Sequence, residues 1–295
     1  MKCTVLVENS SPRSELQTQH GLSFFIEHAN HTILLDVGQN DVFAKNADTL
    51  NKDISSVDAV VCSHAHYDHV GGLQAFCALH SSAPIYTYWN GTSDYLSTTH
   101  CSAGQKERHI GFYIDAQYTD RLRLLYKSGV YSLFNGVWLV PMSSSKAQYG
   151  KPYKNKTLFE RNAGEVGMHT DLFNHECALV IKIDSDRYVI FNSCSHTGVL
   201  NTIARVKKTL TGVGNKNIVA YVGGFHFPWN TNDTIAPEDC ANMAELAKAI
   251  TDESSEYAGI QLYSAHCTGE AAINYFEDKA AGFFTRIHTG FVLGV

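Results

Sequence analysis

The apolar positions of this chain fall into short runs separated by polar, turn-forming segments. Residues 3–8 alternate enough to form a strand, and residues 9–20, polar with Pro12 and several Ser and Gln, read as a loop. Leu22 to Glu27 and Thr32 to Val37 form two strands around Ala29-Asn30-His31, the signature of a hairpin. Asp41 to Leu50 reads as a short helix with Asn40 as its N-cap. Val57 to Cys62 is a buried strand broken only by Asp58. Leu73 to His80 follows as a helix with Leu73, Phe76, Cys77 and His80 on one face, and Pro84 to Tyr88 is the next strand.

The pattern then weakens. Residues 90–165 carry many Tyr, Ser, Gly and Lys and only short apolar pieces, at Gly111 to Ile114, Arg121 to Leu125 and Val137 to Val140. This stretch reads as an insertion, a candidate lid over an active site, because long irregular segments in compact domains are often functional. The rhythm returns at Cys177. Ala178 to Ile183 and Tyr188 to Asn192 are strands around Asp184-Ser185-Asp186, and Val199, Ile203, Val206 and Leu210 place an amphipathic helix over 198–210. Ile218 to Val222 is a strand, Pro237 to Thr251 a helix with proline at its start, Ile260 to Ser264 a strand, and Glu270 to Asp278 a helix. Phe283 to Leu293 supplies a last strand or two. There is no short internal repeat. A β-rich half, an insertion and a half of alternating strand and helix fit an α/β, four-layer αββα sandwich spanning 1–295 as a single domain. A doubly wound parallel sheet fits the second half but not the N-terminal hairpins.

One stretch carries the chemistry. In Cys62-Ser63-His64-Ala65-His66-Tyr67-Asp68-His69-Val70-Gly71-Gly72, three histidines and a carboxylate fall within six residues, between a strand and a glycine pair. His64 and His66, two apart, point the same way on extended backbone. Imidazoles with one carboxylate are ligands for zinc, with manganese or iron as alternatives. The chain has fifteen histidines, and position selects among them. His196, His226 and His266 each sit shortly after a predicted strand, where loops gather distant residues over a rigid scaffold. His28, His31, His80, His100, His109 and His288 read as surface or packing positions. His20 and His169 are open, and His175-Glu176 precedes a core strand and could approach the site.

Composition narrows the function classes. A net charge of −6 and a pI near 6.2 give no general basic face for nucleic acid. The N-terminal apolar run is too short for a signal peptide, and no stretch approaches the ~20 apolar residues of a membrane span. Eight cysteines without a CxxC pair suggest reduced thiols in a cytoplasmic protein rather than a zinc ribbon. No Gly-x-Ser-x-Gly elbow supports a serine hydrolase, and no Gly-x-Gly-x-x-Gly loop supports a dinucleotide.

The metal loop resembles the signature of the metallo-β-lactamase fold superfamily. Gly21 to Glu27, Ile33 to Gly38, Ser195-His196-Thr197-Gly198, Gly223-Gly224-Phe225-His226-Phe227 and His266-Cys267-Thr268-Gly269 resemble blocks of one set of metal-dependent hydrolases, which also includes a pterin-related aminobenzene ribofuranosyl phosphate synthase. The resemblance covers most of the chain except about 90–165. It implies two divalent metals. His64 and His66 with His196 would hold one; Asp68, His69 and His266 would hold the other. It also favours Asp36, at the end of its strand, as support for the metal loop rather than a turn cap. Many relatives place a bridging Asp where this chain has Asn192-Ser193-Cys194-Ser195-His196. Cys194 or His196 takes that place, or the second metal is held weakly; Cys194 also reads as a small buried hydrophobe. The implied activity is hydrolysis of a small anionic molecule by a metal-bound hydroxide, with Asp68 orienting it and His226 as a candidate proton donor. The alternatives are a transferase like the pterin-related synthase, a metal-binding sensor without turnover, and an iron redox protein, whose carboxylate-rich ligand set is not visible here.

Overall fold

The computed structural model describes residues 1–89, 93–112, 114–125, 129–143, 145, 147–210, 217–227 and 235–295. The chain divides into two compact units, one of 1–127, 156–176 and 288–295, the other of 128–155 and 177–287. Each is built on a seven-stranded sheet.

In the first unit the sheet runs Val292–Gly294, Lys2–Val7, Ser23–His28, His31–Leu35, Ala59–Val61, Ile85–Thr87 and Leu122–Leu124. Its first three pairings are antiparallel and its last three parallel. The parallel part needs crossovers, and the helices Val42–Thr49 and Leu73–Leu79 supply the first two of the three. Phe43, Leu73 and Phe76 of these helices pack on Leu6, Phe25, Leu34, Val60 and Ile85 of the sheet. The alternate strand residues Phe24, Ile26, Ile33 and Leu35 are buried as well. Burial of both faces is why these strands read as near-continuous apolar runs rather than clean alternation. A second, four-stranded sheet holds Asp94–Ser97, Arg108–His109, Leu158–Arg161 and His169–Thr170.

The second unit repeats the plan. Its sheet runs Tyr131–Phe134, Val137–Pro141, Cys177–Lys182, Tyr188–Phe191, Ile218–Val222, Gln261–Ser264 and Phe284–Arg286, again three antiparallel pairings and then three parallel ones. The helices Val199–Thr209, Pro237–Thr251 and Glu270–Lys279 make the crossovers. Ile203, Val206, Leu246, Ile250 and Phe276 form its core with Val180, Ile190, Tyr221 and Leu262. Truncating such a buried residue to alanine costs about 2–5 kcal/mol.

The 90–165 stretch thus contributes to both units. Val137–Pro141 pairs along its whole length with Cys177–Lys182, and Leu122–Leu124 pairs with Ile85–Thr87. Residues 90–92, 113, 126–128, 144 and 146 of this stretch, including part of the apolar piece at Gly111 to Ile114, lie outside the described residues. The expected strand Val57 to Cys62 shortens to Ala59–Val61. Asp58 turns its carboxylate back to the Thr32 amide instead, at 2.8 Å. Among the described residues no helix is long and apolar enough to cross a membrane.

Candidate metal centre

In both units the chemistry sits just past the C-terminal ends of the parallel strands, where open α/β sheets place their sites. In the first unit Asp36 follows His31–Leu35, and the metal loop follows Ala59–Val61. In the second, Cys194 and His196 follow Tyr188–Phe191, His226 follows Ile218–Val222 and His266 follows Gln261–Ser264. Four of these turns use left-handed backbone at a residue other than glycine: Asp36 (φ 58°), Ser195 (49°), His226 (54°) and His266 (58°). Each such residue costs roughly 1–3 kcal/mol unless its surroundings hold it. The hydrogen bonds below do so for Asp36 and Ser195.

In the first unit His64, His66 and His69 form one buried cluster. The His64 ring centroid lies 4.6 Å from that of His66 and 4.2 Å from that of His69. Asp68 and His69 do not continue an open loop: Tyr67–Val70 is a helical turn, with His66 in extended conformation at its N-cap. The turn presents the Asp68 carboxylate 3.6 Å from His69 Nε2 and 3.2 Å from His20 Nε2. His20, left open by the sequence, therefore belongs to this cluster.

A single buried carboxylate orders the cluster. Asp36 accepts from the Ser63 amide at 2.7 Å, from Ser63 Oγ at 2.6 Å and from His69 Nδ1 at 2.8 Å. Ser63 Oγ also lies 2.8 Å from His64 Nδ1. The hydroxyl gives its one proton to the carboxylate, so it must accept from His64 Nδ1–H. His64, and His69 in its neutral form, consequently carry their proton on Nδ1 and keep the Nε2 lone pair, the form in which an imidazole binds a metal.

Electrostatics act in the same direction for two of the three. Burial first, and then the neighbouring histidines, hold His64 well below the usual histidine range. Burial and His175 lower His66 to about 3, against the pull of Asp68 and Asp171. His69 is the exception: burial opposes its charge, but Asp68 and Asp36 outweigh it and raise its pKa.

The glycine pair has a steric role. A Cβ at Gly71 would stand 2.4 Å from the Gln39 carbonyl oxygen, and one at Gly72 would stand 2.4 Å from that of Val37. The chain passes this close because Val37 donates to the His69 carbonyl at 2.8 Å and Gly72 to that of Gly38 at 3.0 Å.

In the second unit the donor atoms of Cys194, His196 and His226 lie within 4.8 Å of one another, as do those of Cys194, His266 and Cys267. His196 and His226 have ring centroids 4.1 Å apart. Asn155 holds His196 at two points. Its Nδ2 donates to the His196 carbonyl at 2.6 Å, and its Oδ1 lies 3.2 Å from His196 Nδ1. An amide oxygen only accepts, so this ring too has a proton on Nδ1. Ser195 Oγ donates to the Gly224 carbonyl at 2.6 Å and accepts from Tyr221 Oη at 2.7 Å, and Thr268 Oγ1 accepts from the Phe225 amide at 2.8 Å. The polar residues around the donors are therefore scaffold.

The structure thus brings His64, His66, Asp68 and His69 together in one unit, and Cys194, His196, His226 and His266 in the other. The donor chemistry fits divalent metal: imidazoles, three of them with the neutral-form proton directed to Nδ1, a carboxylate and thiols. Sequence reasoning missed Asn155, which no motif marks, and Cys267, which lay in view beside His266. His31 and His109 are paired with Asp58 and Asp94 at the surface, His80 stacks on Phe76, and exposed His169 pairs with Glu165, in keeping with surface or packing positions for the first three.

Comparison with known proteins agrees with this geometry. The model of the Metallo-beta-lactamase superfamily matches residues 17–90, the segment that holds Asp36 and the metal loop. The chain is 24% identical over 303 aligned residues to the 7,8-dihydropterin-6-methyl-4-(beta-D-ribofuranosyl)-aminobenzene-5'-phosphate synthase of Methanocaldococcus jannaschii, covering 98% of this chain and 95% of that one. Among solved structures, Tm1679, a metal-dependent hydrolase of the beta-lactamase superfamily, matches with a TM-score of 0.77 at 24% identity, over 100% of this chain and 99% of that one. Zn(2+)-bound PqqB from Methylobacterium extorquens matches with a TM-score of 0.55 at 12% identity, over 100% of both chains. At these identities the structural likeness establishes the fold and leaves the substrate open. The chain is an α/β protein with the metallo-β-lactamase fold, and the superfamily model matches the segment that carries its metal loop.

Proposed function

We propose that this protein is a metal-dependent hydrolase acting on a small anionic molecule. The observation that carries the reading is the Asp36–Ser63 network, which gives His64 and His69, when neutral, the tautomer with the proton on Nδ1. A cluster that only needed to be buried would not require both rings in the same tautomer. His64, His66, Asp68 and His69 are the donors from the first unit. His196 and His266 are those from the second, with Cys194 beside them. Bound divalent ions would supply Lewis acidity to water and to a substrate oxygen. The chain's own part is to orient the rings, keep two of them uncharged, and offer Asp68 and half-buried His226 as proton-handling groups. Zinc is the preferred ion, because thiols at Cys194 and Cys267 beside His266 favour a thiophilic metal over manganese or iron.

Metal analysis of the purified chain and of His66→Ala tests this. The expected result is bound zinc in the parent, a lower content in the variant, and zinc-dependent turnover of a phosphodiester or lactone panel by the parent alone. Equal metal content in the two proteins would refute the assignment. The end-to-end similarity to the M. jannaschii synthase supports a second reading, a condensing transferase with a pterin-bearing, phosphorylated substrate. Metal bound without turnover of the hydrolytic panel, but with turnover of such substrates, would select it.

A further inference from the structure

His175 and Asp171 stand beside the metal loop without being donors to it. The backbone N–H of Ala65, the residue between His64 and His66, donates to His175 Nδ1 at 3.0 Å. That bond needs a lone pair on Nδ1, so the ring carries its proton on Nε2, which donates to Asp171 Oδ2 at 3.0 Å. The other oxygen of Asp171 accepts the Phe173 amide at 2.6 Å. His175 is 3% exposed and Asp171 2%. Both ring nitrogens of His175 are committed, although the ring lies 5.6 Å from that of His66 and 6.1 Å from that of His64. Its tautomer is the opposite of that in His64 and His69: Nδ1 faces protein backbone, and Nε2 is spent on a carboxylate. The ring is also wedged against Tyr95, at 4.2 Å between centroids, and Phe173, at 5.9 Å.

We propose that His175, oriented by Asp171, is a positioning residue that fixes the spacing of His64 and His66 by pinning the backbone amide of Ala65 between them. This deepens the metal-centre reading and rests on it. The pinned amide belongs to the His64–Ala65 peptide, inside the bend at 63–65 that leads from one donor to the other, so its orientation bears on where both rings point. Asp171 suits the task. Burial works against its charge, but His175 and the hydrogen bond to it prevail and keep the carboxyl below its usual range. The pair comes from Asp171-Leu172-Phe173-Asn174-His175, outside the segment that the superfamily model matches. A buried histidine that merely satisfied its own polar atoms would not need to bond at this position of the loop.

The test compares His175→Leu, which keeps apolar volume but offers no acceptor, with His175→Gln, whose amide oxygen can accept from Ala65 while its NH2 faces Asp171. Two quantities are read on the full chain: hydrogen exchange of the Ala65 amide without metal, and zinc affinity by competition with a chromophoric chelator. In His175→Leu, Ala65 protection should fall at least about tenfold and zinc affinity about 10–100-fold, the range for partners that orient ligands. His175→Gln should restore most of both. Should leucine prevent folding, His175→Met replaces it. Unchanged protection in His175→Leu, zinc affinity within twofold of the parent, or a glutamine variant no better than leucine would each overturn the proposal. If the parent itself binds no zinc, the metal reading falls, and positioning of ligands falls with it. The Ala65 exchange then shows separately whether the hydrogen bond exists.

Discussion

Replacing Asp36 with asparagine changes no heavy-atom outline, yet it should disable half of the candidate centre. Asparagine accepts the left-handed backbone at this position (φ 58°) without added strain. Its Oδ1 can keep the bond from the Ser63 amide. Its NH2, however, meets Ser63 Oγ and His69 Nδ1, where the carboxylate accepted from both at 2.6 and 2.8 Å. His69 must then move its proton to Nε2. Ser63 Oγ, now an acceptor from the amide, turns its own proton to His64 Nδ1, so His64 also becomes protonated on Nε2. One substitution inverts both tautomers and removes both lone pairs. A hydrogen bond to a charged partner is worth about 1.5–3 kcal/mol, so two give a ceiling of roughly 3–6 kcal/mol. Relief from burying a carboxylate, several kcal/mol for an isolated ion, offsets part of it. The expected net loss is about 2–4 kcal/mol in urea unfolding of the metal-free protein, with zinc affinity lower by about 10–100-fold in chelator competition. Stability within about 0.5 kcal/mol of the parent, together with unchanged zinc affinity, would refute the argument that Asp36 sets the tautomers.

Other consequences can be measured independently. Gly71→Ala forces a Cβ to 2.4 Å from the Gln39 oxygen and 2.6 Å from that of Tyr67, both main chain. It should lower urea-unfolding stability by more than about 2 kcal/mol. Asn155→Ala removes both contacts to His196 and should weaken zinc binding about tenfold while leaving the first unit's histidine signals in the NMR spectrum unchanged. The metal-free protein should lose stability toward acid. His64 is held well below 6.5 and His66 to about 3, so the unfolded chain takes up protons that the folded one refuses. Their contribution is complete above pH ~6.5 and is lost as pH falls below it, for His66 down to about 3, at up to ~1.4 kcal/mol per pH unit for each. His69 has the opposite sign: its raised pKa gives a contribution that is full below ~6.5 and is lost as pH rises through the folded value. Melting temperatures from pH 4 to 8 should fall on the acid side; a flat profile would contradict the burial of His64 and His66.

The sequence by itself determined the elements and the loop. Pro237–Thr251 begins and ends where proline and the apolar spacing placed it, and the strand before the metal loop lies where expected, though shorter at both ends. These features are local: capping, periodicity and a dense ligand motif act within a few residues of chain. The tertiary structure decided what depends on distant partners. The left-handed conformations of Ser195, His226 and His266 leave no trace in composition, because ordinarily glycine would serve there. Asn155 lies in a stretch without periodicity and becomes meaningful only where it meets His196. The protons of His64, His69 and His175 follow from which acceptor faces each ring, a matter of ångströms set by packing. The sequence alone pointed to a metal site; only the folded chain decided which nitrogen each of these rings offers, because that depends on hydrogen bonds between residues up to 110 positions apart.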